Sequence, residues 1–351
     1  MCSGSRVIDD GGAYFMELID EGSGELVGWH HPDDLREWNK TERSRAPEDK
    51  RTTATEAVER FVKEGDVIAN GGFGQVRIST PIIHEIIRQG VDDLKLYAKT
   101  GEFDTDLLMA ANVISEAEIA YLGLETRGLS AVARRRIEGG EIDVLAEGSN
   151  AALQWRLLAG KMGVPFMPTR VMNGTDTFEN SSAKVVEDPW SGDPVTLVPS
   201  INPDVAFIHV PRADKYGNAV IDGIIVEDHQ LSGAAKNVIV TAEEIVDSQE
   251  ICRDPQNTDI PFFHVDAVVE APYGSHPVEM SYQYYFDEEH LAEYIDATEN
   301  EEDLQAYVDE YIRETEDFEE YLEKIGGEEK LAELEDIETY DQDPEYPWCS
   351  D

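Results

Sequence analysis

Four short runs rich in apolar and β-branched residues, DVIANGG, DDLKLYAKT, AEIAYLGLE and EIDVLAEG, alternate with helical stretches between residues 66 and 163. The intervening stretches are STPIIHEIIRQG, DTDLLMAANVI and LSAVARRRIEGG, and NAALQWRLLAGKMG follows the last run. Parallel strands need long crossover connections, so strands alternating with helices predict βαβ units and a doubly wound, mainly parallel α/β sheet. ATEAVERFVKEG, just upstream, sets Ala57, Val58, Phe61 and Val62 on one helical face. The first crossover helix carries its own punctuation: Ser79 or Thr80 as N-cap, Pro81 in the first turn and Gly90 as the stop.

Beyond Pro165 the rhythm changes. DPVTLVPSINPDVAFIHVPRADKYGNAVIDG has turn signals at Asn202-Pro203 and Gly217-Asn218, which predict added antiparallel strands. AAKNVIVTAEEIV and FFHVDAVVEAPYGSHP then supply a helix end and two more buried strands. From Ser281 the composition turns acidic. In EEDLQAYVDEYIRETEDFEEYLEKIG, Leu304, Tyr307, Val308, Tyr311 and Ile312 form one apolar stripe, predicting an amphipathic helix with a carboxylate face. The expected organisation is a partly disordered N-terminal extension over residues 1–50, an α/β core over 51–280, acidic C-terminal helices over 281–340 and a tail over 341–351. Tyr14, Phe15, Met16, Leu18 and Ile19 in the extension are expected to pack on the core or on a partner.

Charge restricts the function. The chain has 28 basic and 75 acidic residues, a formal net charge of −47. No basic field is available to neutralise phosphates, which argues against nucleic acid and anionic membranes as partners. Such self-repulsion is tolerable where salt shrinks the Debye length to roughly 3 Å, so the surface reads as adapted to a high-salt cytoplasm. Cys2, Cys252 and Cys349 are far apart, giving neither a disulfide framework nor a zinc site, and no metal is expected. The N-terminus lacks a signal-type apolar region, and no run approaches the roughly 18 apolar residues of a membrane span. The expected location is cytoplasmic.

Two loops at strand ends carry most of the candidate chemistry. The first is ANGGFGQVRISTP, residues 69–81. It lacks the GxxxxGK[ST] of a phosphate-binding loop and the GxGxxG of a dinucleotide fingerprint. What stays open is a functional loop at the carboxyl edge of a parallel sheet, where ligands bind, or a tight structural turn. Gly71, Gly72, Phe73 and Gly74 are therefore substrate-binding candidates, with Arg77 as a carboxylate clamp or a surface arginine. The second is AKTGEFDTD, where Thr100 and Gly101 are binding candidates, Glu102 sits alongside, and Asp104 or Thr105 would cap the next helix. A third stretch, VLAEGSNAAL, brings Glu147, Ser149 and Asn150 to a helix start, either as an anion or thioester site or as an ordinary N-cap. His209 and His264, expected in strands, and His276, expected in a loop, show no metal-ligand spacing.

Taken in order, DVIANGGFGQVRISTPIIHEIIRQGVDDLKL, MGVPFMPTRVMNGT, PDVAFIHVPRADKYGNAVIDG, AAKNVIVTAEEIV and HVDAVVEAPYGSHP resemble the alpha subunit of glutaconate CoA-transferase and its relatives, over roughly residues 52–326. The resemblance implies a CoA-transferase-type sheet and an enzyme that moves coenzyme A between carboxylic acids through a glutamyl-CoA intermediate. It implies coenzyme A as substrate, with no permanently bound cofactor. In heteromeric members the nucleophilic glutamate is on a beta subunit, in a Glu-Ser/Asn-Gly setting. Here the corresponding strand end reads LKLYAKTGEF, with Lys99 at that place. The chain thus resembles the subunit without the nucleophile, which implies a beta partner in a heterotetramer of two alpha and two beta chains (A2B2). Two alternatives share the resemblance. One is the alpha-type subunit of a CoA-thioester-dependent ring-cleaving hydrolase, with Glu147 as its acid/base. The other is a non-catalytic acyl-CoA-binding scaffold.

Overall fold

The βα alternation builds the central sheet of the structure, a computed structural model in which residues 17–338 are described. β1 (Leu18–Glu21) and α1 (Pro32–Thr41) precede α2 (Ala54–Phe61). Then β2 (Val67–Asn70), α3 (Thr80–Gln89), β3 (Leu94–Ala98), α4 (Phe103–Ala110), β4 (Ile114–Ile119), α5 (Ala131–Glu138), β5 (Asp143–Glu147) and α6 (Asn150–Met162) alternate. β6 (Phe166–Thr169), α7 (Asp176–Glu179), β7 (Lys184–Glu187), β8 (Pro194–Pro199), β9 (Val205–Asp214) and β10 (Ala219–Val220) follow. After them come α8 (Asp228–Ala234), β11 (Asn237–Val246), α9 (Ser248–Arg253) and β12 (Ala267–Glu270). The last described helices are α10 (Glu288–Ala297), α11 (Glu301–Val308), α12 (Phe318–Lys324) and α13 (Gly327–Glu338).

The main sheet has the order β12-β11-β9-β2-β3-β4-β5, all parallel, with β10 antiparallel on β9. Its central strands, β2, β3, β9 and β11, are largely buried on both faces, which explains their apolar runs. Ile68, Leu96 and Phe207 face a core shared with α2, α3 and α4, while Val67, Ala69 and Ile208 face α6 and α8. From β2 the chain winds outward to β5, and from β9 it winds the other way to β12. The order therefore reverses between β2 and β9, and the crevice at their carboxyl ends is the natural ligand site of such a sheet.

Several expectations shift. The helix over DTDLLMAANVI ends early because Asn112 adopts φ 62°, a left-handed stop, so β4 begins at Ile114 and AEIAYLGLE is only partly strand. The segment after Pro165 divides its strands between two sheets. β6, β7 and β8 join β1 in an antiparallel sheet beside α6, whereas β9 enters the main sheet in parallel. His264 lies in a 3-10 turn, Phe262–His264, and not in a strand. The single acidic helix is instead α11, a π-helical turn Asp309–Arg313 and a separate α12, whose start is capped by Asp317 accepting from the Glu320 amide at 2.9 Å. Leu304, Val308 and Ile312 pack into the main core, as their spacing predicts.

Residues 17–50 run as a strap along both sheets. β1 pairs with β7, Val27 is buried, and Lys50 donates to the Phe262 and Val265 carbonyls at 2.6 and 2.7 Å. Leu18 and Ile19 sit half exposed on β1. Tyr14, Phe15, Met16 and the 341–351 tail lie outside the described residues.

Candidate active site

At the end of β2 the chain turns at once, and the glycines allow it. The Gly71 amide donates to Phe207 O at 2.8 Å, tying the turn to β9. Gly72 has φ 84°, and a Cβ there would lie 2.4 Å from Val76 O and 2.6 Å from Arg77 O. Only glycine fits. Its amide donates to Asp228 Oδ1 at 2.9 Å, and Phe73 and Val76 close the turn with reciprocal 3.1 Å backbone bonds. The Gly74 and Gln75 amides make no hydrogen bond among the described residues.

Arg77, read from the sequence as a substrate clamp or a surface residue, is not on the surface. It is 0% exposed, and its guanidinium bonds Asp228 at 2.8 and 3.2 Å, His209 O at 3.0 Å and Ile224 O at 2.8 Å. Both terminal nitrogens are engaged, and Nε, without a partner among the described residues, is buried away from solvent. The pair instead fastens the glycine turn to the start of α8. Burial pushes the Asp228 carboxyl up, but the Arg77 charge and hydrogen bonds from Arg77 and Gly72 outweigh it and hold it below its ordinary value.

The strand ends enclose a cavity of about 20 Å³, room for a single water. Gly71, Gly72, Phe73, Gly74, Thr100 and Gly101 line it, together with Asn70, Lys99, Asp104 and Glu227. Lys99 leaves β3 and meets Glu227 at 2.7 Å, with its ammonium 5.5 Å from the Phe73 ring centroid. Burial pushes Glu227 up to about 7, although Lys99 pulls the other way. Asp104 accepts from Asn70 at 3.1 Å and from the Glu102 amide at 3.0 Å, so it braces the loop before α4 and does not cap it. Burial raises its carboxyl as well.

Glu102 is 1% exposed. Burial lifts it to about 8; the Gln75 hydrogen bond opposes the rise, while Glu125 and Asp104 add to it. Gln75 donates at 3.0 Å to Oε2, and Gln75 is in turn held by Arg127 and by Leu124 O at 3.2 Å. Oε1 has no partner among the described residues and would lie 3.6 Å from a Cβ added to Gly74. The result is a neutral acid at ordinary pH, packed against the glycine loop.

The third stretch stays outside this cavity. Ser149 caps α6 by accepting from Ala152 N at 3.1 Å, and Asn150 touches the second loop through Thr100 at 3.4 Å. Glu147 is half buried and accepts from Asn180 at 3.3 Å. Sequence spacing could not find the Lys99–Glu227 pair, because the partners are far apart in the chain and meet only where α8 closes over β3. Among the described residues no group of side chains is arranged to hold a metal, and no helix is long and apolar enough to cross a membrane.

A family model for coenzyme A transferase matches residues 51–271. An uncharacterized protein of Archaeoglobus fulgidus is 54% identical across 95% of this chain and 75% of its own length. The alpha (A) chain of the 3-oxoadipate CoA-transferase of Pseudomonas knackmussii is 37% identical over 78% of this chain and 97% of that protein. The crystal structure of glutaconate coenzyme A-transferase from Acidaminococcus fermentans matches with a TM-score of 0.77 at 32% identity, over 81% of this chain and 95% of that one.

Proposed function

This chain belongs to the coenzyme A transferase family, and from that premise we propose that it is the alpha subunit of a heteromeric enzyme moving coenzyme A between carboxylic acids, with the covalent glutamyl intermediate on a beta subunit. One observation carries the division of labour. Neither carboxylate of the cavity wall is an ionised, accessible nucleophile, since Glu227 is paired with Lys99 and Asp104 is buried and braces its own loop; Glu102, beside the glycine loop and outside the wall, is buried and neutral. A cavity of about 20 Å³ is also too small for a thioester. Substrate would lie at its mouth, against a partner.

In this reading a beta-subunit glutamate attacks the acyl-CoA carbonyl carbon, and the tetrahedral oxyanion collapses to an anhydride with loss of CoA thiolate. The thiolate then attacks the glutamyl carbonyl, expelling the donor acid as carboxylate and leaving a glutamyl-CoA thioester. The acceptor acid runs the sequence backward. Covalent catalysis suits exchange between acyl groups of similar energy, and each oxyanion needs donors in place. Because the Gly71, Gly72 and Phe73 amides are already bonded, Gly74 and Gln75 are this loop's available donors. Lys99 would supply positive potential at the mouth. Lys99→Met should lower turnover at least tenfold with the protein folded, since it also strands the Glu227 carboxyl; unchanged steady-state rates would remove Lys99 from the site.

Reconstitution with a beta subunit in high salt tests the whole assignment. Exchange of labelled CoA between carboxylic acids, with hydroxylamine or borohydride trapping a beta-subunit glutamate, is the expected result. A second reading, CoA-thioester hydrolysis with an acid/base in this chain, gains from Glu102 being protonated beside the loop; Glu102 then takes the role that sequence position had given to Glu147. Thioester loss without exchange or a trapped intermediate would favour it.

A further inference from the structure

A second concave site lies at the opposite, amino-terminal edge of the main sheet. It is a cleft of about 690 Å³ between α1 and the last turn of α6, so the length of α6, roughly 20 Å, separates it from the glycine loop. Volume alone puts it among small-molecule sites. Its lining is unusual for this chain. About one residue in five here is Asp or Glu, yet the cleft has no carboxylate in its wall and gathers Arg36, Lys40, Arg43, Arg45, Lys161 and His264.

Some of these cations are accounted for locally. Arg36 pairs with Asp33 at 2.7 Å, Lys40 approaches Glu37 at 3.5 Å, and Arg43 pairs with Asp266 at 3.0 Å. Arg45 and Lys161 are not. Among the described residues Arg45 reaches only the Asn39 side-chain oxygen, at 3.3 Å, and Lys161 only the His229 carbonyl, at 2.7 Å. Neither has a carboxylate partner among those residues, in a protein with nearly three acids for every base. Lys161 does favour the α6 dipole, but that does not explain Arg45. The Lys161 stem also passes close over Gly233, where an added Cβ would lie 2.7 Å from its Cγ.

His264 adds a second sign. Its Nδ1 is buried with no hydrogen-bond partner among the described residues. Burial and then the charges of Arg43, Lys161 and Arg45 push the imidazole down to about 4, so it is neutral under ordinary conditions. The charges that lower it are those of three cations. In the tautomer that carries its proton there, this ring nitrogen is a donor left over beside a cationic cleft.

We propose that this cleft binds a phosphorylated small molecule of nucleotide size, with Arg45 and Lys161 as its charge partners and Leu35 and Met162 walling its remaining part. Arg and Lys donors match phosphate oxygens. A small ligand answers to the local field within a Debye length, whereas a nucleic acid or an acidic protein would meet the −47 surface around it.

The test is calorimetric titration of the folded full-length protein with ADP, ATP and tripolyphosphate, at the lowest KCl that preserves its circular dichroism. Expected is saturable one-to-one binding that weakens at least tenfold in the Arg45→Ala/Lys161→Ala double variant, falls with added salt and survives Lys99→Met. Equal binding by the double variant would place the ligand elsewhere and overturn the proposal. So would failure of all three probes to bind. Weakened assembly of the double variant with a beta subunit or a second copy, without polyphosphate binding, would make the cleft a protein contact instead.

Discussion

Asp228→Ala should cost about 3–5 kcal/mol of stability, the usual penalty for stranding one member of a buried ion pair. Both side chains are 0% exposed, and the Arg77 guanidinium would keep only the His209 and Ile224 carbonyls. The same substitution removes the acceptor of the Gly72 amide, so the turn at the mouth of the site loses its anchor. Chemical denaturation followed by circular dichroism reads the first effect, and CoA exchange with a beta subunit reads the second. A double change, Arg77→Met/Asp228→Leu, separates them. Replacing a buried pair by apolar groups is often near neutral, so stability should largely return while exchange stays low. Acid gives a further check on sign. A carboxyl held below its ordinary value in the folded state adds stability that is fully present above the unfolded value, near 4, and lost as pH falls below it. The gap between wild type and Asp228→Ala should therefore narrow in acid. A variant that denatures with the wild type at neutral pH would remove the pair from its anchoring role.

The parts of this fold that were legible in the sequence are those set by neighbours along the chain. The βα alternation, the Pro81 start and Gly90 stop of α3, and the Leu304–Ile312 stripe all depend on residues within a few turns of one another. β9 was harder, because whether VAFIHVPRAD pairs parallel or antiparallel is decided by β2 and β11, distant segments that flank it. The site divides in the same way. The glycine turn announced itself through composition and position after a strand. The place of Arg77 just before α3 says nothing of Asp228, which folds over it from α8. Glu147 and Glu102 are similarly placed in sequence, each at or just past the end of a strand. Only packing distinguishes them: Gln75 and the glycine loop close over Glu102, whereas Glu147 is left half open with Asn180.

That difference makes Glu102→Gln the sharpest discriminator between transfer and hydrolysis. In the folded chain Glu102 keeps its proton up to about 8, while unfolded it would ionise near 4.3. A group that holds its proton in the folded state lowers stability as pH rises between those two values. Glutamine cannot ionise, so the variant should gain on the wild type across that window and hold its advantage above it, as paired denaturation curves would read. Activity follows the same titration. If the neutral side chain only shapes a mouth where oxyanions form, glutamine imitates it, and exchange at pH 7 should stay close to wild type. Above pH 8 the wild type acquires a negative charge there and the variant does not, so their ratio should reach about tenfold in the variant's favour at pH 9. If Glu102 instead passes a proton to or from substrate, glutamine fails at every pH, and turnover should drop about 10²–10⁴-fold. The first outcome keeps the covalent chemistry on the partner. The second moves the reacting proton into this chain and, with thioester loss in place of exchange, would make the assembly a hydrolase.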